Sequence, residues 1–261
     1  FLLKILDSAM RLHVQVHPTT GFANEVMGKP YGKLECYYIL KVREGIDPYI
    51  RLGFQHSPSR EEWKAIVEAQ DMEKMDACFE KIPVKPGEVW YIPGGMPHAI
   101  GEGITMLEIM EPSDLVVRCE FSREGIVVPE EARFMGRGLD FCLDIFDYTE
   151  YSKEEIIERC RIKPEILEKT DSCQRQRLVG EALTPCFFVE KIEAWKPCEI
   201  VHNGKFTLGV VCSGSCILEQ EGQQIHLKQG DSFAIAAAAE RWSILPEEET
   251  ELVIVYPGKD M

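Results

Sequence analysis

The chain has 261 residues, 45% of them hydrophobic, so it is long enough to bury one large core or two modest ones. Its formal net charge of −15 argues against a nucleic acid or an anionic membrane surface as a partner. No apolar run approaches the roughly 20 residues that a membrane span needs. Ten cysteines without a CxxC pair indicate small buried hydrophobes in a reducing compartment, so we expect a cytoplasmic protein.

The first segment that indicates chemistry is LHVQVHP, residues 12–18. Side chains alternate between the two faces of a strand, so its polar residues share one face while its apolar residues pack on the other. These polar residues are His13, Gln15 and His17. In the next strand-like segment, YGKLECYYIL at 31–40, Glu35 lies among apolar and aromatic neighbours. An acid there is costly to bury unless it binds a metal or pairs with a cation such as Lys33.

The segment GEVWYIPGGMPHAI, residues 87–100, is the most informative in the chain. An apolar run at 89–92 ends in a turn at 93–95, and His98 begins the next extended run. This spacing predicts an imidazole at the inner mouth of a β-barrel. Two imidazoles and two oxygen-bearing side chains then suit a divalent ion such as zinc, one per chain. The four predicted ligands are Gln15, His17, Glu35 and His98.

Two capping boxes, Ser59-x-x-Glu62 and Ser152-x-x-Glu155, predict helices that interrupt a mostly β pattern. From residue 185 the pattern is β again and contains an echo of the histidine segment. When Gly230 is aligned with Gly87, Arg241 takes the place of His98. We therefore expect a second barrel that has kept the scaffold and lost the ligand, and that shields the first barrel or forms the interface of a homodimer.

The spacing G-x5-P-x-G-x2-H resembles the second signature motif of the cupin barrels, except that Glu102 stands where an Asn is usual. The resemblance implies a mainly β fold of two cupin-type (jelly-roll) barrels with short helical insertions. The expected organisation is a metal-binding catalytic cupin domain at 1–146 with a helical insertion near 59–80, a helical connector at 147–184 and a degenerate cupin domain at 185–261.

Four motifs in order also resemble the type I mannose-6-phosphate isomerases: Q-x-H-P at 15–18, G-K-x-E at 32–35, P-x-G-x2-H-A-I at 93–100 and S-D-x3-R at 113–118. The resemblance implies a zinc enzyme that interconverts mannose 6-phosphate and fructose 6-phosphate, with the four ligands named above. It further places Lys33, Asp114 and Arg118 as catalytic residues in the sugar site, bordered by Lys4 and Glu108.

An aldose–ketose isomerisation passes through an enediol, and a positioned acid–base group must carry the proton. Lys33, Asp114 and Glu108 are candidates for this role, and the guanidinium of Arg118 suits an anionic oxygen. If residues 114–118 lie on a strand, Asp114 and Arg118 share a face, which is equally consistent with a structural ion pair.

Two departures from the family pattern keep other functions open. His13 stands where the family usually has a Ser that is often placed near the substrate phosphate, so we expect His13 to line the substrate site. The family also carries further strand before the segment that starts at Phe1, which predicts a fragment, a processed product or a short form. The alternatives are a non-catalytic sugar-binding or regulatory metal double cupin, and a metal cupin of another reaction class such as a dioxygenase.

Overall fold

The structure is a computed structural model that describes residues 1–258. The chain divides into two compact units, one from Phe1 to Ile162 and the other from Lys163 onwards. None of the helices within the described residues is both long enough and apolar enough to span a membrane.

The first unit contains twelve strands and five α-helices, with single 3-10 turns at Glu130–Ala132 and Leu143–Ile145. In chain order they are β1 (Leu2–Asp7), β2 (Gln15–Val16), α1 (Thr20–Met27), β3 (Glu35–Val42), β4 (Tyr49–Leu52), α2 (Arg60–Ala69), α3 (Met72–Ala77), β5 (Ile82–Pro83), β6 (Val89–Ile92), β7 (His98–Ile100), β8 (Ile104–Met110), β9 (Val117–Arg118), β10 (Ser122–Arg123), β11 (Ile126–Val127), α4 (Leu139–Cys142), α5 (Lys153–Cys160) and β12 (Arg161–Ile162).

Two five-stranded antiparallel sheets form the barrel of the first unit, in the orders β1-β8-β3-β6-β12 and β5-β4-β7-β2-β9. Apolar residues from both sheets build one buried core, including Tyr37 and Trp90 from the first and Leu52 and Ile100 from the second. Because inward and outward side chains alternate along each strand, the polar residues on the inner faces are brought close to one another at one end of this core.

The helical insertion covers the outer face of the second sheet. Trp63 of α2 and Met75 of α3 are fully buried against Val14 and Ala99 from that face. The capping box predicted at Ser59 forms, since its side chain accepts from the Glu62 backbone N–H and the Glu62 side chain accepts from the Ser59 N–H. The second predicted box, at Ser152, begins α5 in the same way.

The second unit is all β: β13 (Glu165–Lys169), β14 (Cys173–Val179), β15 (Phe187–Ala194), β16 (Cys198–Val201), β17 (Thr207–Ser213), β18 (Ser215–Gln220), β19 (Gln223–Lys228), β20 (Ser232–Ile235), β21 (Arg241–Pro246) and β22 (Thr250–Pro257). Its two sheets run β13-β14-β15-β22-β17-β20 and β16-β21-β18-β19. Side chains from both sheets share one core, among them Ile192, Ile254, Leu218 and Trp242.

The segment 147–184, predicted as a helical connector, is helical only at α5. The charged stretch after α5 forms β13 and β14, which pair with each other, and β14 also pairs with β15. These strands lack the apolar pattern by which a strand is recognised in a sequence, because many of their positions carry charges. Arg177, for example, lies 3.1 Å from Glu165 on the neighbouring strand. Ion pairs across neighbouring strands allow such a polar segment to join a sheet.

The predicted similarity between the segments that start at Gly87 and Gly230 is present in the backbone. Gly87 and Gly230 both have positive φ, at 85° and 90°. Strands β6 and β20 start two residues after these glycines, and β7 and β21 start at His98 and Arg241. His98 is buried, whereas Arg241 is exposed and pairs with Glu199 at 2.5 Å, so the shared turn presents different chemistry in the two units.

Candidate metal centre

Three predicted ligands converge at one buried point of the first unit. The Nε2 of His17 lies 3.1 Å from Oε1 of Glu35, and the Nε2 of His98 lies 3.5 Å from Oε2 of the same carboxylate. All three side chains are essentially inaccessible to solvent, and their ligand atoms lie within 4.8 Å of one another. Within the described residues this is the one such group of three or more His, Cys, Asp or Glu side chains.

The fourth predicted ligand, Gln15, is placed beside this group by strand register. Gln15 of β2 lies directly opposite His98 of β7 on one side and Arg118 of β9 on the other. Directly opposed residues project to the same face of a sheet, so these three side chains form a row across three strands. Its Nε2 is 3.3 Å from the Nε2 of His98.

Two backbone carbonyls fix the orientation of the imidazoles. The Nδ1 of His17 lies 2.8 Å from the carbonyl oxygen of Leu115, and the Nδ1 of His98 lies 3.0 Å from that of Met96. A carbonyl oxygen only accepts, so each Nδ1 donates its proton. Each Nε2 therefore faces the carboxylate of Glu35, and in a neutral ring it would offer a lone pair to a metal ion.

The charge states fit this arrangement. Burial would raise the pKa of Glu35, but its contacts with His17, His98 and Lys33 outweigh burial and hold the pKa well below its usual range. Burial lowers the pKa of His98 to about 4, which leaves that ring neutral near pH 7. Lys33 supplies a positive charge 2.8 Å from Oε1 of Glu35, and Tyr37 donates to Oε2 at 2.6 Å.

The donor set fits a divalent metal ion. Nε2 of His17 is buried without a hydrogen-bond partner and faces Oε1 of Glu35 at 3.1 Å, while Lys33 Nζ lies 2.8 Å from the same oxygen. Lone pairs that face one another in a dry site are unfavourable without a cation between them. Two imidazole nitrogens and a carboxylate, with an amide oxygen available from Gln15, are ligands that zinc accepts.

Two glycines explain how separate segments approach so closely. A Cβ at Gly32 would lie 2.4 Å from the backbone of Pro18 and Thr19, and a Cβ at Gly94 would lie 2.7 Å from the same segment. The backbone bonds Lys33 N–H to Pro18 O (3.0 Å) and Gly95 N–H to His17 O (2.7 Å) close these contacts. The glycines thus hold the chain around His17 between the segments that carry Glu35 and His98.

A second inward-facing row lies next to Glu35. Lys4 of β1, Glu108 of β8 and Tyr37 of β3 are directly opposed in register. Lys4 Nζ is 3.6 Å from Oε2 of Glu108. Burial, followed by the charge of Glu35, raises the pKa of Glu108 to about 7. The predicted border residues Lys4 and Glu108 are therefore adjacent to the cluster.

The predicted strand that joins Asp114 to Arg118 is wrong. Strand β9 contains only Val117 and Arg118, and Asp114 lies in the preceding loop, where it lines a cavity of about 230 Å³ with Lys29 and Tyr31. Pro112, two residues earlier, cannot donate to a sheet and favours this irregular backbone. Arg118 donates from Nη1 to the Ala132 carbonyl at 2.7 Å instead of pairing with Asp114.

His13 is not brought into the cluster. It precedes the two residues of β2, and its Nε2 is buried without a hydrogen-bond partner in the described part of the chain. Sequence reasoning missed Tyr37, although its position two residues after Glu35 places it on the same strand face. The carbonyl oxygens of Leu115 and Met96 had no sequence signal, because any residue carries one.

The two sheet-lined units and the buried ligand group define a double-cupin protein with a candidate metal centre. Residues 182–257 match the family model "Mannose-6-phosphate isomerase, cupin domain". A mannose-6-phosphate isomerase of Streptococcus mutans is 41% identical over 124 residues, which are 47% of this chain and 37% of that protein. The "Probable mannose-6-phosphate isomerase GmuF" of Bacillus subtilis is 28% identical over 256 residues, covering 98% of this chain and 74% of that protein.

A crystal structure of the mannose 6-phosphate isomerase from Bacillus subtilis has the same fold, with a TM-score of 0.74 at 24% identity over 97% of this chain and 74% of that one. The chain is therefore similar in sequence to mannose-6-phosphate isomerases, and it shares its fold with one of them. It spans little more than a third of the Streptococcus mutans relative, at 37% of that protein's length.

Proposed function

We propose that this protein is a zinc-dependent isomerase that interconverts mannose 6-phosphate and fructose 6-phosphate through an enediol. The observation that carries the proposal is the convergence of His17, Glu35 and His98, whose buried ligand atoms lie within 4.8 Å of one another. The names of the relatives support the substrate, since both proteins are called mannose-6-phosphate isomerases.

His17, Glu35, His98 and Gln15 would hold one zinc ion. When bound, zinc supplies Lewis-acid polarisation of a sugar carbonyl. The chain contributes ligands whose orientation is already fixed by the Leu115 and Met96 carbonyls and by the Tyr37 hydroxyl. Such outer contacts keep ligands in place and tune their basicity.

Proton transfer and charge stabilisation then fall to side chains around the cluster. We assign proton exchange with the substrate to Lys33, which is 8% exposed and lies 2.8 Å from Glu35. Arg118 shares the sheet face of Gln15 and His98, and its remaining N–H groups suit an enediolate oxygen. Asp114, on the neighbouring loop, is assigned to the sugar hydroxyls.

Substrate recognition needs local positive charge, because the chain as a whole carries a charge of −15. Lys4 of β1, Lys33 in the segment before β3 and Arg118 of β9 provide it near the cluster. We assign Glu108 to the sugar site beside Lys4. His13, with a buried and unpartnered Nε2, is assigned a supporting position behind this site.

The second unit is proposed to be a scaffold without chemistry of its own, since an exposed arginine replaces the buried histidine of the shared turn. The ten free cysteines support a location in the reducing cytoplasm.

A coupled assay of fructose 6-phosphate formation from mannose 6-phosphate tests the proposal. The protein is treated with a chelator, dialysed and assayed before and after zinc is added back. Turnover that is lost with the chelator and restored by zinc supports the proposal. A folded, zinc-loaded sample that shows no turnover refutes it and favours a binding or regulatory role.

A further inference from the structure

A second cavity of the first unit lies away from the metal centre and has a different character. It has a volume of about 630 Å³ and is lined by residues from the loop before β2, from β4, from α3 and from the segment of β10. Ile50 and Leu52 of β4 point into the barrel core, so Arg51 between them points to the outer face, towards α3. None of the candidate metal ligands lines this cavity.

Two nearly buried arginines form its floor. Arg11 is 8% exposed and Arg51 is 6% exposed. Both approach the same carboxylate oxygen of Asp76, Arg51 through a direct hydrogen bond from Nη1 and Arg11 through Nη2 at 3.6 Å. A buried guanidinium is unfavourable unless its charge and its donors are matched, and one shared oxygen matches two of them poorly.

The arginines have more donors than the surrounding acceptors use. Nη2 of Arg11 and Nε of Arg51 are buried without a hydrogen-bond partner in the described chain. Arg123 shares the other nearby acid with Arg11, because Oε1 of Glu120 receives Arg11 Nη1 at 2.7 Å and Oε2 receives Arg123 Nε at 2.6 Å. Three guanidinium groups thus share two carboxylates, an excess of one positive charge.

The rim adds a further cation. Lys81 is exposed and holds its Nζ 4.5 Å from the centre of the Tyr49 ring, which also lines the cavity. Two acids, Glu102 and Glu124, lie on the same rim. Both are exposed to solvent, and within the described chain neither forms an ion pair with a basic side chain, so water screens their charges more than those of the floor.

We propose that this cavity binds a phosphate group, either as the free ion or as the monoester of a small metabolite. Positive groups reach it from Arg11, Arg51, Lys81 and Arg123, which belong to separate elements and therefore approach from different directions. That arrangement matches a tetrahedral dianion, whereas a single carboxylate would be satisfied by one planar guanidinium. The volume lies within the usual range for small-ligand sites, so there is room for the rest of an ester.

Charge reversal at the rim tests the proposal without disturbing the buried pairs. We would titrate inorganic phosphate, and separately glycerol 3-phosphate, into the zinc-loaded full chain by calorimetry. Lys81→Glu is compared with Lys85→Glu, an exposed lysine of the same segment that does not line the cavity. Arg123→Ala is the second variant. Unlike Lys81→Glu it also removes the partner of Oε2 of the buried Glu120, so the thermal midpoint of each variant is measured to verify folding.

Lys81→Glu and Arg123→Ala are each expected to weaken phosphate binding by about tenfold or more, and Lys85→Glu by less than about twofold. Tighter binding of glycerol 3-phosphate than of free phosphate identifies an ester as the ligand, and the reverse order identifies the free ion. The proposal is overturned if the wild-type protein shows no saturable binding up to about 10 mM phosphate. It is equally overturned if the phosphate affinity of both cavity variants equals that of wild type, because phosphate then binds elsewhere, including at the metal centre.

Discussion

Replacing Gly32 by alanine tests whether close backbone packing positions the metal ligands. The new Cβ would lie 2.4 Å from Pro18 O, Thr19 C and Thr20 N, whereas ordinary contacts begin near 3.4 Å. The backbone must therefore yield by about 1 Å, and the atoms in its way are main chain, which cannot rotate aside. Overpacking of this kind costs about 1–3 kcal/mol in the free energy of unfolding.

The displacement acts on both sides of the contact. Lys33 and Glu35 follow Gly32 in the chain, and His17 precedes Pro18, so the shift separates ligand atoms that now lie 3.1 Å apart. Disturbing the support of a metal ligand typically weakens metal binding by about 10–100-fold. We expect Gly32→Ala to lose zinc affinity by that factor and to lower the thermal midpoint by several degrees.

The matched control is Gly21→Ala in α1, where a Cβ would meet only Thr19 Oγ1 at 3.9 Å. Alanine is the better helix former, so this variant should keep its zinc affinity and gain up to about 1 kcal/mol in stability. Zinc affinity is measured by competition with a chromophoric chelator, and stability by thermal unfolding of the metal-free protein. If Gly32→Ala binds zinc as tightly as Gly21→Ala does, the glycine contacts do not position the ligands.

Three further substitutions address single side chains. Arg118→Ala should keep the zinc content of wild type while turnover falls about 100-fold or more, as measured by metal analysis and the coupled assay, and a loss of folding would instead assign Arg118 to structure. Tyr37→Phe removes the hydroxyl that donates to Glu35 at 2.6 Å, so the metal-free protein should lose about 1–3 kcal/mol, seen as a lower thermal midpoint. An unchanged midpoint would show that this bond contributes nothing. Arg241→Ala should leave the zinc stoichiometry as it is, and a loss of metal would contradict a scaffold role for the second unit.

Much of the first unit could be predicted because its signals are local. A positive-φ glycine, an apolar strand and a Pro-Gly turn place His98 at a strand start, and the same spacing recurs from Gly230 to Arg241. The capping box at Ser59 predicted the start of α2 because both of its bonds lie within four residues.

The remaining features depend on contacts between distant segments. Strands β13 and β14 are charged, and they are stabilised by partners such as Glu190, which pairs with Arg175 at 2.8 Å. The requirement for glycine at position 32 arises from the backbone of Pro18, which no sequence pattern reveals. The sequence predicts a longer β9 than the structure contains, because the residues after Asp114 have the pattern of a strand. Only Val117 and Arg118 pair with β2.

The central claim, one catalytic zinc site in the first unit, is tested most directly by titrating zinc into the metal-free protein while turnover of mannose 6-phosphate is recorded. Activity should rise linearly and stop at one zinc ion per chain, and His98→Ala should remove both the bound zinc and the activity. Turnover that is independent of zinc, or one zinc ion that still binds tightly to His98→Ala, would contradict the account.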